Sequence, residues 1–178
     1  MISEKIAKIE EHIAQLALDV EPQTLYAPIR YIMEDGGKRM RPILTTLACE
    51  VYGEATREVY QAAVALEVFH NFTLLHDDIM DSARLRRGRE TVHVRWSPNV
   101  AILSGDAMLI LAYRLLSEGV SDEHLPRVIS IFNKASIEVC EGQQYDMSFE
   151  SADAVSMEEY LLMIRLKTAV LMAASLEI

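Results

Sequence analysis

Three aspartates at the end of a helical pattern carry the strongest chemical signal in this sequence. Asp77, Asp78 and Asp81 stand at positions i, i+1 and i+4 of the stretch HDDIMD. On an α-helix this spacing places Asp77 and Asp81 on one face, one turn apart, with Asp78 beside them. Their charges repel one another, and carboxylates are unfavourable at a helix C-terminus. Mg²⁺ would relieve both effects, because it prefers oxygen ligands shared between carboxylates and phosphates.

Two arginines follow the aspartates in the stretch SARLRRG. Guanidinium groups bind phosphate oxygens through paired hydrogen bonds. Carboxylates that hold Mg²⁺, followed by Arg86 and Arg87 that hold phosphate, predict a Mg²⁺–diphosphate site. The alternative is a solvated acidic helix end followed by a basic loop, and basic residues elsewhere in the chain favour the diphosphate site.

A second basic stretch, GGKRMRP, lies about forty residues earlier. Its two glycines permit a sharp turn. Lys38 and Arg41 are three residues apart, so they would project together from the first turn of a helix and form an anion clamp. His70 precedes Asp77 by seven residues and therefore lies on the acidic face, two turns away.

Polar residues also interrupt apolar helical patterns near positions 105 and 167. Lys167 and Thr168 stand in such a helix, where the lysine either extends to the surface or points into a cavity that holds an anion. Gly105 indicates a close approach between helices. Asp106, if it is buried, needs a partner.

Composition limits the kind of ligand. The chain has 178 residues and a formal net charge of −10, which argues against nucleic acid as a partner. The basic residues nevertheless cluster in two short windows, which indicates a small anionic ligand. The two cysteines have neither disulfide nor metal-ligand spacing, which fits a reducing cytoplasm. No run of 18 apolar residues exists, so we predict no membrane span.

The whole chain, residues 1–178, reads as one all-α domain. We predict helices over residues 3–19, 22–34, 42–52, 56–81, 98–118, 122–148 and 156–178. The last begins with the capping box Ser156-Met157-Glu158-Glu159. Residues 82–95 are expected to form a polar loop, and no strand-like alternation of useful length is present. The sequence stops within a helical pattern, which we interpret as a truncated C-terminus.

Five motifs in this order, GGKRMRP, LLHDDIMDSARLRRG, LSGDAML, EGQQYDM and RLKTAVL, resemble the trans-type polyprenyl diphosphate synthases. This family includes farnesyl, geranylgeranyl and longer-chain synthases, and the resemblance covers about residues 20–178. It implies the isoprenoid synthase fold, an antiparallel helical bundle around a deep cavity, usually as a homodimer. It also implies a Mg²⁺-dependent head-to-tail condensation of isopentenyl diphosphate with an allylic diphosphate.

The resemblance assigns roles by motif position. The first aspartate-rich motif, which holds Mg²⁺ against the allylic diphosphate, is matched by Asp77, Asp78 and Asp81. Arg86 matches the contact to the allylic diphosphate, and Arg87 matches a contact to isopentenyl diphosphate. The remaining isopentenyl diphosphate contacts are matched by Lys38, Arg41 and His70. The pair that grips the allylic diphosphate and faces the carbocation, with a glutamine nearby, is matched by Lys167, Thr168 and Gln143.

Product length is expected to depend on what blocks the cavity below the aspartates. Thr73 lies one turn below Asp77 and Phe69 two turns, about 6 and 12 Å along the helix. Phe72 is at the fifth position before the motif. In the family, bulk at the fourth or fifth position shortens the product, and here one of the two positions is bulky. We therefore predict a C15–C20 product.

One feature of the family is absent from this sequence. The family carries a second aspartate-rich motif in a later helix, and neither Asp146 nor Asp153 has the required spacing. Three interpretations remain: a fragment of a synthase, a non-catalytic diphosphate-binding subunit, and a structural fragment that self-associates through its open core. A terpene cyclase is disfavoured by GGKRMRP and by the pair Arg86-Arg87.

Overall fold

A computed structural model describes residues 2–178, and its architecture is all-α, as predicted. The elements are α1 (Ile2–Ala14), α2 (Gln23–Met33), α3 (Met40–Glu50), α4 (Arg57–Met80), β1 (Leu85–Arg86), β2 (Arg89–Glu90), α5 (Val92–Arg95), α6 (Pro98–Gly119), α7 (Leu125–Phe149), α8 (Met157–Ile164), a π-helical segment (Arg165–Ala169) and α9 (Val170–Glu177).

Helix α4 is the central element of the bundle. Residues 62–69 are all buried, and all of them except Glu67 are apolar, as expected of a helix in a core. Small residues such as Ala62 and Ala65 let the neighbouring helices α6 and α3 pack closely along it. This packing fixes the last turn of α4, which carries Asp77 and Asp78.

Local hydrogen bonds explain where two later helices begin. Helix α6 starts at Pro98, and the Ser97 hydroxyl accepts a hydrogen bond from the backbone N–H of Val100 at 3.2 Å. Helix α8 starts after the capping box, in which Ser156 and Glu159 satisfy each other's backbone N–H groups. The predicted capping box is therefore confirmed.

Two predictions of element boundaries were wrong. The first helix ends at Ala14 and not at residue 19, and the last apolar residue of the pattern, Leu18, is buried from the irregular segment that follows the helix. The loop predicted over residues 82–95 contains the hairpin β1–β2 and the short helix α5. Each strand has two residues, too few for an alternating pattern to show in the sequence.

The hairpin turn is formed by Arg87 and Gly88, which have φ angles of 52° and 81°. Positive φ at both central residues is the conformation that a two-residue hairpin requires, because it matches the twist of the strands. Gly88 adopts it without steric cost. The turn orients the guanidinium of Arg87 towards the loop between α2 and α3.

The predicted last helix is interrupted by the π-helical segment. Segments of this kind are rare, and they occur mostly as single turns within α-helices, often at functional sites. Here the segment comprises the residues RLKTA and therefore contains both Lys167 and Thr168.

Helix α6 bears on the prediction that no segment spans a membrane. By length and composition it could cross one, with a mean hydropathy of 1.6 over its most apolar window. It packs along α4 and α2, and core helices of soluble proteins meet the same criterion, so the finding is weak support for a membrane span.

Candidate diphosphate-binding site

A cavity of about 320 Å³ lies between α3, α4, α7 and the π-helical segment with α9. Its lining is mostly apolar, and it also includes the charged side chains of Arg41, Asp77 and Lys167. It is lined by Arg41, His70, Phe72, Thr73, Leu74, His76, Asp77, Met80, Val139, Cys140, Gln143, Gln144, Met147, Lys167, Thr168 and Leu171. Six of the predicted site residues thus share one cavity with two of the predicted chain-length residues.

Asp77 stands between two cations. One carboxylate oxygen lies 3.1 Å from Nζ of Lys167, and the other lies 3.2 Å from Nη2 of Arg86. Lys167 also binds Asp146 at 2.5 Å. Burial alone would lower the pKa of Lys167, but its ion pairs with Asp146 and Asp77 outweigh burial and raise that pKa. Lys167 is therefore a fully charged ammonium at the cavity mouth.

Asp78 and Asp81 differ in their surroundings. Asp78 is buried and accepts a hydrogen bond from Nε of Arg86 at 2.8 Å. Burial raises the pKa of Asp78, and Arg86 partly opposes the shift. The side chain of Asp81 has no hydrogen-bond partner among residues 2–178. Its pKa is raised by burial and then by the charge of Asp77.

No group of three or more His, Cys, Asp or Glu side chains between residues 2 and 178 is already arranged as a metal site. The carboxylates nevertheless fit Mg²⁺. Asp77, Asp78 and Asp81 supply the hard oxygen ligands that it prefers. Burial is the main reason that the pKa of Asp81 is raised, and the nearby charges of Asp77, Asp146 and Glu150 raise it further, so a cation there would relieve charge repulsion.

Arg41 is a cation with no carboxylate in direct contact among the described residues, although the charge of Glu67 acts on it from a distance. It lines the cavity, its Nε is buried without a hydrogen-bond partner, and it forms no ion pair with any residue from 2 to 178. Burial lowers the pKa of Arg41, but arginine remains protonated at neutral pH. A partly buried guanidinium whose Nε has no hydrogen-bond partner is unfavourable, and an anion in the cavity could provide that partner.

His70 lines the same part of the cavity. Burial, and then the charges of Arg41, Arg87 and Arg86, lower the pKa of His70 from 6.5 to about 3. His70 is therefore neutral at pH 7 and can donate one hydrogen bond without adding charge.

Lys38 and Arg87 are not in the cavity wall. Lys38 is exposed before the start of α3. Arg87 donates to the carbonyl of Gly36 at 2.7 Å and lies 3.4 Å from Asp35, which also binds Arg89 at 3.1 Å. The hairpin is thereby attached to the loop after α2 through Arg87 and Arg89.

The three predicted chain-length residues occupy two layers. Phe72 and Thr73 line the cavity. Phe69 is only 1% exposed and lies behind Phe72, with the two ring centroids 5.5 Å apart. Phe69 therefore supports the wall but does not form its surface.

One residue that contacts the site, Asp146, was not predicted as a site residue, and two other polar residues lie elsewhere than their motifs indicated. Asp146 follows Gln143 by three residues, and this helical spacing could have indicated that it joins the same face. Asp106 was expected to need a partner if buried, but its side chain is 58% exposed. Arg39, counted among the clustered basic residues, is buried in ion pairs with Glu67 at 2.9 Å and Glu10 at 2.7 Å.

Gly142 explains how the π-helical segment can lie against α7. A Cβ at Gly142 would lie 2.7 Å from the carbonyl carbon of Leu166 and 2.7 Å from Cα of Lys167. No side chain can be placed there without moving the backbone. Gly142 therefore permits the close approach that brings Lys167 to Asp77 and Asp146.

Comparison with known proteins agrees with this geometry. The sequence model of the family described as "Polyprenyl synthetase" matches residues 22–178. A geranylgeranyl pyrophosphate synthase from Geoglobus acetivorans is 42% identical over 100% of this chain and 56% of its own length. A geranylgeranyl diphosphate synthase from Methanosarcina mazei is 41% identical over 99% of this chain and 55% of its own.

Solved structures give the same result. A geranylgeranyl pyrophosphate synthetase from Pyrococcus horikoshii superposes with a TM-score of 0.94 at 40% identity, covering 99% of this chain and 54% of that chain. The chain thus spans about half the length of the relatives that it matches. Matched over nearly all its residues in sequence and in structure, this chain belongs to the polyprenyl synthetase family and has the isoprenoid synthase fold.

Proposed function

We propose that this chain acts in a polyprenyl diphosphate synthase, which condenses isopentenyl diphosphate head-to-tail with an allylic diphosphate. The observation that carries the proposal is the unpaired guanidinium of Arg41 in the wall of an apolar cavity. Asp77 and Lys167, which line the same cavity, form a second charged cluster. Two charged sites joined by an apolar space suit two diphosphates with hydrocarbon tails.

The residues divide between the two substrates. Asp77, Asp78 and Asp81 would hold Mg²⁺, which when bound neutralises charge on the allylic diphosphate as a Lewis acid. Lys167 and Arg86 donate to the same diphosphate and stabilise the charge that develops as its bond to carbon breaks. Thr168 and Gln143 line the cavity beside that bond.

The second substrate lies against the basic wall. Arg41 and neutral His70 donate to isopentenyl diphosphate, and Lys38 and Arg87 extend to it from the rim. Apolar residues of α4 and α7 exclude water from the allylic cation, which water would otherwise quench. The alkene attacks that cation, and the released diphosphate accepts the proton. No side-chain base is required.

The cavity floor supports a C15–C20 product. Phe72 is bulky and lines the cavity, whereas Thr73 beside it is small. Phe69 and Phe132 form a second aromatic layer, with ring centroids 5.1 Å apart. A tail that passes Thr73 is therefore stopped by Phe72 and the layer behind it.

A non-catalytic diphosphate-binding subunit is the second candidate. Large apolar side chains are exposed on α8, notably Tyr160 at 48% and Leu161 at 57%. This surface fits a subunit whose bundle is completed by another polypeptide of the same family.

We also infer a cytoplasmic homodimer formed through α6. Leu103 and Ile110 are 60% and 69% exposed on one face, together with Asp106 and Arg114. Two antiparallel copies of α6 that cross at Ile110 would place Asp106 opposite Arg114. Sedimentation should show a dimer that Ile110→Asp converts to monomers, and a monomeric native chain would contradict this inference.

Calorimetry with inorganic pyrophosphate tests the binding function directly. We expect binding that requires Mg²⁺ and is lost in the double variant Asp77→Asn/Asp81→Asn. The variant Asp153→Asn, which changes an exposed carboxylate after α7, is the matched control and should bind normally. Binding that is equal without Mg²⁺, or unchanged in the double variant, would contradict the assignment.

A further inference from the structure

We propose that Gly105 of α6 is a positioning residue that sets the depth of the cavity, acting through His76 on Phe72. The inference rests on the proposed function, because it concerns the length of hydrocarbon tail that the cavity accepts. Gly105 itself does not line the cavity, so its effect would pass through the two rings that do.

The first step is the contact between α6 and the ring of His76. Gly105 is buried, and the His76 ring covers it directly. A Cβ at this position would lie 2.6 Å from Cδ2 of His76 and 3.2 Å from Cε1. The ring nitrogen Nε2 is 3.2 Å from the carbonyl oxygen of Ile102. The missing side chain of Gly105 therefore creates the space that His76 occupies.

The second step is the contact between His76 and Phe72. Their ring centroids are 4.8 Å apart, in an edge-to-face arrangement. On its other side Phe72 meets Phe69, which is held in turn by Phe132. Phe69 and Phe132 are 1% and 0% exposed. They have no space into which to move, since protein interiors are close-packed.

The direction of any displacement follows from these contacts. A side chain at position 105 would push His76 away from α6 and towards Phe72. Phe69 blocks the far side of Phe72, and the cavity that both rings line is open space beside them, so we expect the rings to move into it. Gly105 thus keeps the cavity deep, and a larger residue there makes it shallower without touching the charged groups at its mouth.

Binding of prenyl diphosphates of increasing length tests this inference. The 178-residue chain would be titrated by calorimetry, in Mg²⁺, with inorganic pyrophosphate and with geranyl, farnesyl and geranylgeranyl diphosphate. In Gly105→Ala we expect the two shortest ligands to bind within about twofold of the native chain, and geranylgeranyl diphosphate to bind about tenfold more weakly, the effect of a pocket too short by about one methylene. A uniform loss for all four ligands would overturn the inference.

Two further variants separate positioning from general damage. Gly119→Ala changes a second glycine of α6, where a Cβ would lie 2.6 Å from Cβ of Gln61 but outside the cavity, and it should leave the order of affinities unchanged. In a His76→Ala background the ring is gone, so Gly105→Ala should have no further effect on geranylgeranyl diphosphate. Additive effects of the two substitutions would overturn the inference.

The outcomes also separate this inference from the proposed function. If the native chain binds none of the four ligands, the proposed function fails, and the inference fails with it. If it binds them and Gly105→Ala leaves their order unchanged, only the inference fails. If Gly105→Ala does not fold, His76→Ala alone decides: it should favour geranylgeranyl over geranyl diphosphate, and no such change would overturn the inference.

Discussion

The ammonium of Lys167 lies 3.1 Å from the carboxylate of Asp77, although ninety residues separate them in the sequence. The same ammonium binds Asp146 at 2.5 Å. Lys167 thus joins the end of α4 to α7 at the mouth of the cavity. We propose that a diphosphate binding there exchanges these carboxylate contacts for contacts with its own oxygens.

Removal of the Lys167 charge should therefore weaken diphosphate binding. In Lys167→Ala we expect the affinity for geranyl diphosphate with Mg²⁺ to fall by about tenfold or more, since a hydrogen bond to a charged group contributes about 1.5–3 kcal/mol. Calorimetry measures the change. Lys134→Ala, which alters an exposed lysine of α7 remote from the cavity lining, should bind as the native chain does. Equal affinities in both variants would contradict the role of Lys167.

Arg41 should be harmful to stability and necessary for binding. In Arg41→Met we expect the free energy of unfolding to rise by about 1 kcal/mol or more, because a buried donor without a partner is removed. Pyrophosphate binding should fall at the same time. Arg39→Met is the matched control, and it should destabilise by about 3–5 kcal/mol because Glu67 is left buried and unpaired. Urea unfolding distinguishes the two, and a destabilised Arg41→Met would contradict the account.

Gly142 should be needed for the position of the π-helical segment. In Gly142→Ala the added Cβ would clash with backbone atoms of Leu166 and Lys167, which cannot rotate away. We expect a loss of about 1–3 kcal/mol of stability, as for other overpacked sites, together with weaker diphosphate binding. Gly53→Ala has nothing within 4 Å of its Cβ and should do neither. If Gly142→Ala were as stable as the native chain, the contact between α7 and the π-helical segment would not be tight.

His70 should make stability depend on pH. Its pKa is about 3 in the folded chain against 6.5 as the ordinary value, so between these pH values only the unfolded chain binds the proton. The stability that neutral His70 contributes is therefore complete above pH 6.5 and is lost as pH falls, by up to about 1.4 kcal/mol per unit. The difference in free energy of unfolding between the native chain and His70→Gln should show this slope when urea unfolding is measured from pH 7.5 to 4. A flat difference would mean that His70 titrates normally.

Much of the fold and of the charged site could be predicted from the sequence. The period of apolar residues in α4 fixed the common face of His70, Thr73 and Asp77, because helical geometry alone determines it. The capping box at Ser156 could also be predicted, because it depends on only four consecutive residues. The hairpin was missed, since strands of two residues leave no periodic pattern. The only sign of its turn in the sequence is Gly88, which follows Arg87.

Other features depend on contacts that no local pattern reveals. The π-helical segment packs against Gly142 of α7. The amino-acid sequence of its five residues predicts an ordinary α-helix. Arg39 and Arg41 stand two residues apart in one basic motif, yet Arg39 is buried in ion pairs and Arg41 faces the cavity unpaired. Which of them is structural is decided by Glu67 and Glu10, from α4 and α1, and therefore only by the tertiary fold.

Turnover is the most direct test of the central claim. The chain would be incubated with Mg²⁺, isopentenyl diphosphate and each of dimethylallyl, geranyl and farnesyl diphosphate, and the products measured by mass. The proposed synthase predicts elongated products of C15–C20, absent in Asp77→Asn/Asp81→Asn. No elongated product from any of the three, in a chain that still binds pyrophosphate with Mg²⁺, would contradict catalysis by these 178 residues alone and leave a diphosphate-binding subunit or a fragment of a synthase.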